Sequence, residues 1–211
     1  MNIQVKAMLS PWTWGACTVV AVAVMYLLLE AAVVEKTVNT PAVADLSSVL
    51  NSLTNRSENP AKQVAALHHV SASLRPGQLL QCDNQSWAQT SERMRESAGR
   101  SMQEKNTTAA QAELRRLLAL KTPDSCESAN WLRRDALFAL ATLALASGNM
   151  QSSRAAIEKA LSLDAQEDLL RANLLALRSL ASRIQGGKTS GEADRLAAVS
   201  IYQTAIKGHV Q

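Results

Sequence analysis

The sequence predicts an all-α protein, with an N-terminal transmembrane helix followed by an array of antiparallel helical hairpins. Three observations lead there. Ala and Leu dominate while aromatics make up 3% and the chain holds only 8 Gly and 5 Pro; Ala and Leu are strong helix formers, and strands favour the β-branched and aromatic types that become scarce after Val34. Residues 12–29 carry no charge. From Ser86 onward, apolar residues recur at helical spacing in paired segments with a period of roughly 35–40 residues, which suits stacked hairpins better than a bundle with long crossovers. A chain of 211 residues suffices for one domain with an appendage. The expected divisions are 1–11 (short cytoplasmic N-terminus), 12–34 (transmembrane helix), 35–85 (tether and two helices) and 86–211 (hairpin domain).

The first element rests on "PWTWGACTVVAVAVMYLLLEAAVV", residues 11–34. About 20 apolar residues cross the hydrocarbon core, and Trp12 and Trp14 suit one interface. A cleaved signal peptide is the alternative. It needs a shorter apolar region with a small-x-small site behind it, whereas Ala21-Val22-Ala23 lies inside the run and Ala42-Val43-Ala44 well past it. An uncleaved, single-pass anchor is therefore expected. Lys6 precedes the run, and Glu30, Glu35 and Lys36 follow it, so the positive-inside bias is slight. With so short an N-terminal side, the expected orientation is N-in and C-out in a bacterial inner membrane, the C-terminal domain being periplasmic. Cys17 falls in the apolar run as a packing residue. Cys82 and Cys126 lie in polar segments. In an oxidising compartment they would form one disulfide closing a loop of about 44 residues, worth ~3–4 kcal/mol; two unconnected thiols remain the alternative reading.

In the 35–85 region, Val43, Leu46, Val49, Leu50 and Leu53 mark a first helix, and Val64, Leu67, Val70 and Leu74 a second. Pro60 suits the start of the second and Arg75-Pro76-Gly77 its end. Three hairpins follow, at about 86–104 with 108–120, 129–147 with 151–163, and 166–185 with 190–207. Gly148-Asn149 turns the middle one.

The middle hairpin, "DALFALATLALASGNMQSSRAAIEKALSLDA", resembles a tetratricopeptide repeat. Leu137, Leu140, Ala141 and Ala144 stand where that family packs its first helix, Gly148-Asn149 at its turn, and Ser153, Ile157, Ala160 and Leu161 on its second helix. Leu163-Asp164 matches the exit. Leu and Ala replace the family's large aromatics, and Ala165 replaces its exit proline. The flanking hairpins match less fully: Trp87 stands as a first-helix aromatic and Ala205-Ile206-Lys207 as a second-helix ending. The resemblance implies a tetratricopeptide-like (TPR-like) array over about 86–207. The stretches "TPDSCESANWLRRDALFALATLALASGN" and "AIEKALSLDAQEDLLRANLLALR" are also similar to accessory proteins of bacterial polysaccharide and envelope loci.

A motif search would stop at "IQGGKTSG", residues 184–191, whose Gly187-Lys188-Thr189 copies the end of a phosphate-binding loop. That loop needs a preceding strand and a glycine five positions before the second one. Ser182 holds that position, and the preceding apolar residues have helical spacing. A hairpin turn is expected, with Gly186-Gly187 ending one helix and Ser190 capping the next. His68, His69 and His209 suggest neither a catalytic pairing nor a metal site; the first two are adjacent and would diverge on a helix. Glu92, Glu96, Asp164, Glu167 and Asp168 read as helix-surface pairing. The formal charge of +4 is dispersed, like-charge runs stop at Arg115-Arg116 and Arg133-Arg134, and no aromatic platform accompanies them, which argues against nucleic acid.

The expected protein is thus not an enzyme and has no cofactor, catalytic residue or metal ligand. It is expected to be a membrane-anchored periplasmic protein-interaction scaffold. Its expected setting is as an accessory subunit of a bacterial envelope-assembly system such as polysaccharide biosynthesis or export. A maturation chaperone for a periplasmic enzyme is the alternative. Its partners are expected to be proteins in or near the inner membrane, and its polar contacts Arg133, Arg134, Arg171 and Arg178, because Arg is favoured at interfaces.

Overall fold

In the computed structural model, the described residues are 43–54, 59–73, 84–123, 126, 128–163, 166, 168–187 and 189–209. They belong to one unit, Asn39–Gln211. They form eight helices: α1 (Val43–Thr54), α2 (Pro60–Ser73), α3 (Gln85–Gln103), α4 (Thr107–Ala119), α5 (Ser128–Ala146), α6 (Met150–Leu163), α7 (Leu169–Gly186) and α8 (Glu192–His209). Successive helices pair as α1/α2, α3/α4, α5/α6 and α7/α8. The pairs then stack, with α4 on α5 and α6 on α7. The first pair folds back so that α1 meets α8 while α2 meets α7 and α5.

The helix boundaries have local causes. Asn84, Asn106 and Asp168 cap α3, α4 and α7, each side chain accepting from the backbone N–H three residues on, which satisfies a donor that the helix leaves unpaired. Two hairpins share one turn geometry. After α5, Asn149 N–H donates to Ala144 O at 2.8 Å and Gly148 N–H to Leu145 O at 3.0 Å; after α3, Asn106 N–H donates to Ser101 O at 2.8 Å and Lys105 N–H to Met102 O at 3.1 Å. This paired bonding is a Schellman ending, which requires a left-handed residue. Gly148 fills that place in one turn (φ 78°) and Lys105 in the other (φ 59°).

Two apolar clusters make the core. The larger joins α1, α2, α5, α6, α7 and α8 through residues such as Leu46, Leu67, Phe138, Ile157, Leu177 and Tyr202. The smaller joins α3, α4 and α5 through Trp87, Ala98, Leu114, Leu117, Cys126 and Leu132. Helix α5 belongs to both, and residues 134–138 and 141–145 along it are buried. A helix apolar nearly all round must be covered all round, so "ALFALATLALA" becomes the central rod.

The expected fold class is corrected: the described residues form an all-helical fold, and among them no helix is long and apolar enough to cross a membrane. The segment 12–34, expected to span, lies outside the described residues, as does Cys82. At "GGKTSG" the turn also differs in detail. α7 ends at Gly186, Gly187 N–H donates to Arg183 O at 3.0 Å, and Gly191 rather than Ser190 supplies the carbonyl that opens α8, accepting from Arg195 N–H at 3.1 Å. A side chain at Gly191 would place its Cβ 2.7 Å from the Ser179 Cα, so this glycine lets the turn lie against α7.

Candidate functional site: an arginine network and the groove beside it

Three consecutive residues of α5 point about 100° apart, and each holds a different neighbour. Arg133 donates to Thr122 Oγ1 at 2.9 Å and to Leu118 O at 3.4 Å, reaching the end of α4. Arg134 makes a bidentate pair with Asp168 at 2.8 Å on both oxygens. Asp135 accepts from Arg95 Nε of α3 at 2.7 Å. The Arg95 guanidinium also lies over the Trp131 ring, 5.4 Å from its centre, a favourable placement for a cation. Burial alone would lower the Arg95 pKa, but the charge and hydrogen bond of Asp135, with Glu92 and Glu96 nearby, outweigh it and hold the group above its ordinary value.

Arg134 has 0% exposure, so it has no surface to offer a partner. Asp168 both caps α7, accepting from Arg171 N–H at 2.7 Å, and neutralises Arg134. Arg178 forms its own bidentate pair with Asp194 of α8, at 2.7 and 2.6 Å; the Asp194 hydrogen bond raises its pKa against the opposing effect of burial. Arg171 is half-buried in the first turn of α7. Of the four arginines expected to meet a partner, Arg133, Arg134 and Arg178 thus bond to neighbouring helices or their caps.

Further ties close α1 onto the rest. Gln63 Nε2 donates to Ser52 O and Arg195 to Leu53 O, both at 3.1 Å, so two carbonyls at the end of α1 are capped from α2 and α8. Inside the larger cluster, the Tyr202 hydroxyl donates to Asn173 Oδ1, and burial pushes that hydroxyl well above the ordinary tyrosine range. Cys126, at the head of α5, is in a disulfide. Its partner cysteine lies outside the described residues.

An accessible concavity of about 230 Å³ lies between α4, α5 and α6, lined by Gln111, Arg115, Leu140, Ala144, Ser147, Asn149, Ser152 and Ala156. Leu140, Ala144 and Ala156 give it an apolar floor, and Gln111, Ser147 and Ser152 a hydroxyl- and amide-bearing rim. Arg115 is its only charged residue. It is exposed, while its neighbour Arg116 pairs with Glu113 at 2.9 Å. Sequence reasoning saw Arg115 only as part of a short charge pair. Its distinction from Arg116 depends on which side of α4 faces the next hairpin. Among the described residues no three His, Cys, Asp or Glu side chains are grouped to hold a metal ion. Comparison with protein-family models, curated proteins and solved structures finds no match to this chain.

Proposed function

We propose that the helical array is a protein-interaction scaffold working outside the reducing cytoplasm, with a partner protein in the bacterial cell envelope. The groove on α4, α5 and α6 carries the reading: it is open, part apolar and part polar, and built on helices held by inter-helix ion pairs. Sites on such supported elements keep their shape, which lowers the ordering cost of binding. The Cys126 disulfide supports the compartment, because structural disulfides persist where glutathione and thioredoxin do not reduce them. A setting within an envelope-assembly system such as polysaccharide biosynthesis or export rests on the sequence resemblance alone.

Cross-linking the full chain within a bacterial envelope, followed by mass spectrometry, tests the reading. One folded partner joined reproducibly through α4 to α6 is expected. Recovery of only non-native chains, or of no protein, would defeat it. Alkylation of thiols in intact cells should leave Cys126 unmodified until a reductant is added.

A further inference from the structure

We infer that the α4–α5–α6 groove receives an acidic side chain of the partner polypeptide, with Arg115 as its counter-charge; this rests on the scaffold reading above. Every other lining residue is uncharged, so the groove presents one positive charge and no carboxylate of its own. Arg115 enters no ion pair among the described residues, unlike Arg95, Arg116, Arg134, Arg178 and Arg195. A guanidinium offers a planar fork matched to a carboxylate. Gln111 lies one turn before it on α4 and Ser147 and Ser152 face it across the groove, adding neutral donors.

The start of α6 is not what attracts the anion. Three of its first four amides are already occupied: Met150 N–H donates to Gly148 O and Ser153 N–H to Asn149 O, both at 3.1 Å, while Ser152 N–H donates to Asn149 Oδ1 at 3.0 Å. Capture of a chain-terminal carboxylate ordinarily uses a nest of several free main-chain N–H groups, which these three bonds break up. An Asp or Glu side chain, needing one guanidinium and a little apolar floor, fits better. The size agrees: about 230 Å³ lies below the range of roughly 300–1,000 Å³ typical of pockets that enclose a whole small molecule, but accommodates one side chain with its neighbour's methyl group.

The test uses the full chain, ¹⁵N-labelled, titrated with the peptide acetyl-Gly-Ala-Asp-Ala-amide. The amide signals of Ser147, Asn149 and Ser152 should move together and saturate. The Asn-containing peptide should bind at least about tenfold more weakly, because it cannot form the charge-assisted pair. Arg115→Gln should abolish the shifts without changing the melting temperature, since the side chain makes no ion pair among the described residues. Ser152→Leu, which narrows the groove and leaves the charge, should abolish them too. Equal binding of the Asn peptide, shifts that survive Arg115→Gln, or acetate or acetyl-Ala-Gly-Ala with a free C-terminus acting as well as the Asp peptide would each overturn the inference. Should the peptide result fail while the full chain still cross-links a folded partner, the groove assignment falls and the scaffold reading stands. Loss of the partner itself would remove both.

Discussion

Hairpins α3/α4 and α5/α6 are closed by the same turn and started on their second helices by the same residue type, yet they are stabilised differently. Helix α5 is buried on both sides, belonging to both apolar clusters. Helix α3 buries only Trp87, Ser91 and Ala98. What α3 lacks in apolar area it meets with directed interactions, the Arg95–Asp135 pair and the Arg95–Trp131 contact, while the smaller cluster it packs into holds the disulfide-bonded Cys126. Two hairpins can thus share a local fold while one is buried in two apolar clusters and the other adds specific bonds to a smaller one. The second kind is more sensitive to conditions, because a disulfide depends on redox state and a single pair on each of its partners.

The largest expected effect comes from emptying the central rod. Phe138→Ala, at 1% exposure, should cost ~3–5 kcal/mol in urea unfolding, the usual sum of lost transfer energy and residual cavity. A cost below about 1 kcal/mol would mean that α5 is not central to the larger cluster. Next is Cys126→Ser, or reduction with dithiothreitol, expected to cost ~2–4 kcal/mol. Hydrogen exchange should then quicken in α3 and α4 well before α7; uniform quickening would contradict the contrast. Arg95→Ala should cost ~1–3 kcal/mol, since it leaves Asp135 largely buried without that partner. Its effect should be read again by exchange in α3.

A smaller and opposite effect should come from the turns. Lys105 occupies a left-handed conformation that Gly148 occupies without strain, so Lys105→Gly should stabilise by ~0.5–1 kcal/mol and Gly148→Lys should destabilise by a similar amount. Paired melting curves would show it, and equal signs for the two changes would deny that the turns are equivalent. Arg116→Ala, breaking the surface pair with Glu113, should change stability by less than ~0.5 kcal/mol.

Much of the fold was legible in the sequence. The starts and ends of α2 to α8 fall within a few residues of the periodic segments, because Pro60, Gly148, Asn149 and Gly187 act on their own turns; Asp168, expected as helix-surface pairing, instead caps α7. The rejection of a phosphate loop at "GGKTSG" rested on the same local logic, and the structure has a helix, α7, where that motif needs a strand. The site was much less legible. Arg133, Arg134 and Arg178 have the residue type of an interface and also bond to neighbouring elements, Arg134 from full burial, whereas Arg115 stands in the groove.

By itself, the sequence determined which segments are helices and where the chain turns, since backbone hydrogen bonding, capping and glycine conformation are settled within four or five residues. Only the tertiary structure decided which charges are buried and which are free. Arg95 finds Asp135 forty positions away and Arg134 finds Asp168 thirty-four away, and a guanidinium's role is set by whatever distant carboxylate packing brings within about 3 Å of it.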